Sequence, residues 1–224
     1  MSADPICFTP PRQPVEAGAL GARHLACRRG RRMLFRGLEL RLEAGSVTWL
    51  RGTNGSGKTS LMRILAGLSA PTEGELTWND QPLTGGAARR GIVYIGHANA
   101  LKDDLTLSES VTFLAKLQGI DDAPQRALRA LDRLGLASRR DALVRTLSQG
   151  QRRRGALARL ALDELPRTWI LDEPFDALDQ ASAALLCDLI DGHARRGGAV
   201  LLTSHQAVAL AGAIDFDLEP WRAH

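Results

Sequence analysis

Gly52-Thr53-Asn54-Gly55-Ser56-Gly57-Lys58-Thr59 is the stretch whose reading decides the fold. It satisfies the P-loop pattern at every fixed position, directly after an apolar run at 47–50 and before a helix predicted at about 59–66. Its glycines let the backbone wrap closely around a phosphate with N–H groups pointing inward, and the helix start adds its positive dipole end to the same anion. Lys58 is expected to reach the β and γ phosphates and Thr59 to place its hydroxyl on Mg²⁺, with Ser60 completing the ATP-binding set. A Gly-rich turn serving structure alone would leave the Lys58–Thr59 pair a coincidence. GTPases, kinases and helicases share this loop, so a second signal has to choose among them.

Outward from the loop, β-prone runs at 38–42, 46–50, 75–78 and 91–96 read as strands. The apolar runs at 168–171 and 199–203 suit strands buried on both faces of a parallel sheet. Residues 105–162 are mostly helical in pattern, including 127–134 and 155–162, and another helix is predicted at 181–194. This is an α/β organisation with a helical insertion. Residues 1–19, with four prolines and no continuous apolar core, read as a flexible tail ahead of one domain at 20–224.

Thr168-Trp169-Ile170-Leu171-Asp172-Glu173 is an apolar strand ending in two carboxylates, the place where a Walker B strand delivers one acid to Mg²⁺ and the next to water. Asp172 is the expected metal ligand and Glu173 the candidate general base. Taken alone, two acids at a strand end are common.

Leu147-Ser148-Gln149-Gly150-Gln151 resembles the signature sequence of ABC ATPases, and Gln151 stands 21 positions before Asp172, as in that family. Ser148 and Gln151 also have the spacing of a capping box, opening an arginine-rich helix near Gln151. A capped helix start suits an anion. The resemblance implies a P-loop NTPase (RecA-like) parallel-sheet core with an N-terminal antiparallel β subdomain and an inserted α-helical subdomain at about 100–162. It implies ATP and Mg²⁺ as cofactors, and a signature that covers the γ-phosphate held by a second copy, so that hydrolysis requires a homodimer. Asp179, in Pro174-Phe175-Asp176-Ala177-Leu178-Asp179, resembles the D-loop residue that contacts the opposite subunit. His205, after the apolar run 201–203, resembles the switch histidine that contacts γ-phosphate and holds the catalytic glutamate.

Three local features are similar to the CcmA family, the ATP-binding subunits of the cytochrome c maturation system. They are Gly96-His97-Ala98-Asn99-Ala100-Leu101-Lys102 followed by Leu105-Thr106-Leu107, the run Leu147-Ser148-Gln149-Gly150-Gln151-Arg152-Arg153-Arg154, and Trp169-Ile170-Leu171-Asp172-Glu173-Pro174-Phe175. This resemblance implies a peripheral ATPase on the cytoplasmic face of a bacterial inner membrane. Its partners would be membrane subunits resembling CcmB and CcmC, and its hydrolysis would drive release of the haem-loaded chaperone CcmE. Readings that stay open are another ABC importer or exporter, and a soluble ABC-type ATPase acting on nucleic acid or ribosomes.

Three places depart from the ABC pattern. Where an aromatic usually stacks on adenine, residues 26–33 hold none, leaving the flat guanidinium of Arg28 or Arg29 for that contact. Ala98 occupies the place of a glutamine that senses Mg²⁺, with His97, Asn99 or a water as substitutes. Gln149 replaces the commoner glycine of the signature, a change expected to be tolerated if its side chain points away from nucleotide.

The 224 residues are 44% hydrophobic and 24% charged, a balance that supports a folded, soluble domain. No apolar run approaches the roughly 18–20 residues that cross a bilayer, so membrane work needs a partner. Cys7, Cys27 and Cys187 are too dispersed for a disulfide framework or a zinc site, and no Cys-x-x-Cys-His motif would hold haem. The net charge of +4 comes from short separated arginine clusters at 28–32, 89–90, 152–154 and 195–196. With 4% aromatics for base stacking, no nucleic-acid partner is expected; anionic lipid head groups are another possible counterpart.

Overall fold

A computed structural model of the chain describes residues 17–83, 91–206 and 210–223. Residues 1–16 of the tail expected at 1–19, Cys7 among them, and the arginine pair at 89–90 lie outside the described residues.

Strands β3 (Val47–Arg51), β7 (Thr168–Leu171) and β8 (Ala199–Leu202) bury every residue but Arg51. Such runs have no polar face to offer solvent, so they take the middle of a sheet covered on both sides. With β6 (Ile92–Ile95) and β9 (Ile214–Asp217) they form a five-stranded sheet in the order β6-β7-β8-β3-β9, with every neighbouring pair parallel. A second sheet, antiparallel, is ordered β2-β1-β4-β5 from β1 (Leu20–Arg29), β2 (Arg32–Leu42), β4 (Glu73–Trp78) and β5 (Gln81–Pro82). Buried and exposed positions alternate along much of β2. Its buried Phe35, Leu38, Leu40 and Leu42 pack into one core with Leu61, Met62, Ile64 and Leu65 of the helix that follows the P-loop.

That helix is α1 (Lys58–Leu65). The predicted helical insertion is a set of short pieces, α2 (Leu107–Leu117), α3 (Ala123–Arg133) and α4 (Gln149–Leu157), linked by 3₁₀ turns at Ala137–Arg139 and Val144–Thr146. Capping chemistry sets the starts. Thr106 and Glu109 close a capping box on α2, and Ser148 and Gln151 do so on α4. Because the serine is itself the N-cap, α4 begins at Gln149, two residues earlier than the sequence reading placed it. The helix expected at 155–162 is the end of α4 running into a 3₁₀ turn at Ala158–Ala161. Helix α5 (Gln180–Arg195) returns the chain to β8.

His193 of α5 stacks on Trp169 of β7, with ring centroids 3.5 Å apart and planes 7° apart, and its Nε2 donates to the Arg167 carbonyl at 2.7 Å. Burial pushes this imidazole down to about 4, so it stays neutral and acts as packing between helix and sheet. Among the described residues no helix is long and apolar enough to cross a membrane.

Candidate nucleotide-binding site

Between β3 and α1 the loop takes a path that only glycine follows easily. Gly52, Gly55 and Gly57 have φ of 143°, 78° and 110°. A Cβ on Gly57 would stand 3.2 Å from Phe35 and 3.3 Å from Leu34, so the loop is pressed against β2 as well as turned. Lys58 Nζ donates to the carbonyls of Gly52 at 2.7 Å and Thr53 at 3.1 Å. Its ammonium thus sits across the mouth of the loop, where an arriving phosphate would exchange for those carbonyls. Ser56 Oγ is buried without a hydrogen-bond partner.

Asp172 and Glu173 leave the end of β7 together, and Thr203, the residue after β8, holds them in place. Thr203 Oγ1 donates to Asp172 Oδ1 at 3.2 Å and accepts the Glu173 amide at 2.9 Å. Glu173 sits at φ 48°, a left-handed backbone that costs a non-glycine residue energy and aims its side chain away from the strand direction. Its carboxylate accepts the His205 amide on Oε2 at 3.0 Å and lies 3.5 Å from His205 Nε2 on Oε1. The histidine and glutamate singled out from sequence are therefore in contact. Thr203, given no role by the sequence reading, ties both acids to the segment after β8 that carries the histidine.

One cleft of about 430 Å³ is bordered by Asn54, Gly55, Gly57, Lys58, Thr59 and Ser60 on one side and by Asp172, Glu173 and His205 on the other. Arg29, Arg32 and Leu34 form its outer wall. Of the two arginines named for base stacking, Arg29 borders the cleft and Arg28 does not; Arg32 was not anticipated. Glycine amides, a lysine and two guanidinium groups suit a polyphosphate. Thr59 and Asp172 bring two hard oxygen donors to the same space, which fits Mg²⁺ completing its shell with phosphate oxygens and water. No group of three ligating His, Cys, Asp or Glu side chains occurs among the described residues.

None of the residues 147–151 borders this cleft. Ser148 and Gln149 are exposed at the start of α4, with Ser148 Oγ accepting the Gln151 amide at 3.2 Å and the Gln151 carboxamide oxygen accepting the Ser148 amide at 3.0 Å. Gly150 has a reason to be glycine: a Cβ there would lie 2.8 Å from the Ala177 carbonyl, so the signature packs against the turn after the acidic pair. Asp179 ends that turn, and its carboxylate caps α5 by accepting the Ser182 amide at 2.8 Å. Ala98 is exposed; of its possible substitutes, His97 Nδ1 lies 3.8 Å from Asp176, and the Asn99 side-chain oxygen accepts from Arg153.

Arg153 joins these pieces. Read from sequence only as part of a basic cluster, it is buried and spends its guanidinium on five oxygens: the carbonyls of Gly96, Asp172, Glu173 and Pro174 and the side chain of Asn99. It thereby ties the helix that starts at the signature to the loop after β6 and to the acidic pair. The missed signal was the company it keeps: an arginine two positions past Gln151 falls on the side of α4 facing β7, not on its solvent side.

The ABC transporter family model matches residues 35–176. The chain is 46% identical over 194 residues, 86% of this chain and 91% of the relative, to a cytochrome c biogenesis ATP-binding export protein CcmA of Aromatoleum aromaticum. It is 47% identical over 204 residues, 88% and 94% of the two chains, to the CcmA of Pseudomonas fluorescens. To the CcmA of Haemophilus influenzae it is 39% identical over 210 residues, 93% and 99%. A solved ATP-binding subunit of an ABC transporter superposes with a TM-score of 0.74 at 26% identity, covering 83% of this chain and 79% of that one.

Proposed function

The chain belongs to the ABC transporter ATP-binding family, among its CcmA members, and from that premise we propose how its residues act in cytochrome c biogenesis export. Two copies close head to tail on two ATP molecules, and each cycle of closure and hydrolysis moves a membrane partner. The observation that carries this reading is the split of the site. P-loop, acidic pair and His205 share one cleft, whereas the signature of the same chain is exposed elsewhere, free to complete the cleft of a second copy.

Within each site the loop amides and Lys58 hold the β and γ phosphates, while Arg29 offers its guanidinium plane to the base. Thr59 and Asp172 would hold Mg²⁺, whose chemistry there would be to offset negative charge on the phosphates. Glu173 takes a proton from the attacking water, and His205 keeps that carboxylate aimed through its amide and ring. The start of α4 from the other copy brings amides and the Ser148 hydroxyl to the γ-phosphate. Arg153 passes the state of the acidic pair to the loop at 96–102. We further assign the partners as membrane subunits resembling CcmB and CcmC at the cytoplasmic face of an inner membrane, with release of haem-loaded CcmE as the step driven.

Mixed dimers test the split site. Ser148→Arg removes the trans contact and Lys58→Ala removes phosphate binding, so each variant alone in the assembled complex should hydrolyse at least about 100-fold more slowly than wild type. Co-assembly of the two variants leaves one intact site, built from the Ser148→Arg P-loop and the Lys58→Ala signature, and should restore measurable ATPase activity. No recovery in verified mixed complexes would mean that the signature does not act in trans.

A further inference from the structure

The P-loop is held by a segment far from it in sequence. β9 pairs in parallel with β3, from Thr48↔Ile214 to Arg51↔Asp217. The chain then continues along the loop itself. The Leu218 amide donates to the Arg51 carbonyl at 3.1 Å, and the fully buried Leu218 side chain lies 3.4 Å from where a Cβ on Gly52 would stand. A 3₁₀ turn at Glu219–Trp221 follows, and the Ala223 amide closes onto the Leu34 carbonyl at 3.3 Å.

That turn presents Glu219 to Thr53, the second residue of the P-loop. Oε1 of Glu219 accepts both the Thr53 amide at 2.7 Å and the Thr53 hydroxyl at 2.6 Å. Arg222 Nη1 donates to Glu219 Oε2 at 2.8 Å and to the same hydroxyl at 3.1 Å. Every polar group of Thr53 is therefore engaged, because its carbonyl accepts from Lys58 and from the Ser56 amide at 3.2 Å. We infer that Glu219, backed by Arg222, is a positioning residue for nucleotide binding that fixes Thr53 so that the following amides stay aimed inward.

A carboxylate beside a phosphate cradle opposes the incoming charge, so its placement there needs a compensating use. Glu219 faces the outer side of the loop through Thr53, and Arg222 balances its charge. Arg222 first, then the Thr53 hydroxyl and amide, hold this carboxyl down at about 2, so it remains an ionised acceptor throughout the physiological range. When Lys58 leaves the Thr53 carbonyl for a phosphate, the loop loses a strut on one side of that residue. Glu219 keeps the other side fixed. Arranging the amides before the ligand arrives lowers the ordering cost of binding.

The inference rests on the nucleotide-binding reading, and the test separates the two. Affinity for a fluorescent ADP analogue is measured for the full chain as wild type, Glu219→Gln, Thr53→Val and the double variant, with melting temperatures recorded alongside. Glu219→Gln is expected to weaken binding about tenfold while shifting the melting temperature by no more than a few degrees. Thr53→Val, which lacks only the hydroxyl, should weaken binding less, and the double variant should fall short of the product of the two effects because they share one contact. Saturating ATP should restore most of the Glu219→Gln turnover, so the loss appears in KM rather than kcat. Wild-type affinity in both single variants overturns the role of Glu219 alone. Failure of the wild-type chain to bind nucleotide overturns the site reading and this inference with it.

Discussion

Glu173→Gln should reduce ATP hydrolysis by about 100- to 10,000-fold while leaving ATP binding intact, so that Mg·ATP drives the variant into a stable dimer visible by size-exclusion chromatography. The substitution keeps the shape of the side chain. Its carboxamide oxygen still accepts the His205 amide, and the Glu173 backbone bond to Thr203 is untouched. The left-handed backbone at this position is no harder for glutamine than for glutamate. What disappears is the ability to take a proton from water, so the cycle stops after closure and before chemistry. Turnover near the wild-type rate would remove Glu173 from the role of general base.

Arg153→Ala has the second largest expected effect, and it acts on fold and function together. Five oxygens lose their donor, four of them backbone carbonyls, at a site where the guanidinium is buried. An unsatisfied buried acceptor costs ~1–3 kcal/mol, and water entering the vacated space offsets part of the total. A net loss of about 3–5 kcal/mol is expected, as for other broken buried charge contacts. For a domain of this size that corresponds to a fall of about 10 °C in melting temperature. Arg153→Lys keeps the charge but offers three donors from a single point, which cannot reach the carbonyls of both Gly96 and Glu173. It should therefore recover much of the stability but little of the stimulation of ATPase activity by the membrane partner. A lysine variant with full stimulation would reduce Arg153 to a structural role.

The core of the fold and most of the site were legible because their signals are local. A glycine pattern, an apolar run ending in acids and an S-x-x-Q cap each state their geometry within a few residues; the P-loop and β7 lie where those patterns put them, and α4 starts two residues ahead of its expected place. What escaped was set by long-range contact. Strand β1 pairs with β2 and β4 through irregular register, which hides its alternation. β9 is a short, mostly exposed edge strand without an apolar run, and its place beside β3 follows from the sheet and not from its own four residues. Thr203, Arg153 and Glu219 matter through partners 19 to 166 positions away. Their types carry no motif. Arg153 looked like one more surface charge in a basic run until the burial of its side of α4 was known.

The measurement that bears most directly on the central claim is recovery of the tagged chain, expressed at native level, from detergent-solubilised membranes. Co-purification of subunits resembling CcmB and CcmC, with ATPase activity abolished by Lys58→Ala, is the predicted result. Recovery of an unrelated permease, or of no membrane subunit from a preparation that still hydrolyses ATP, would contradict it.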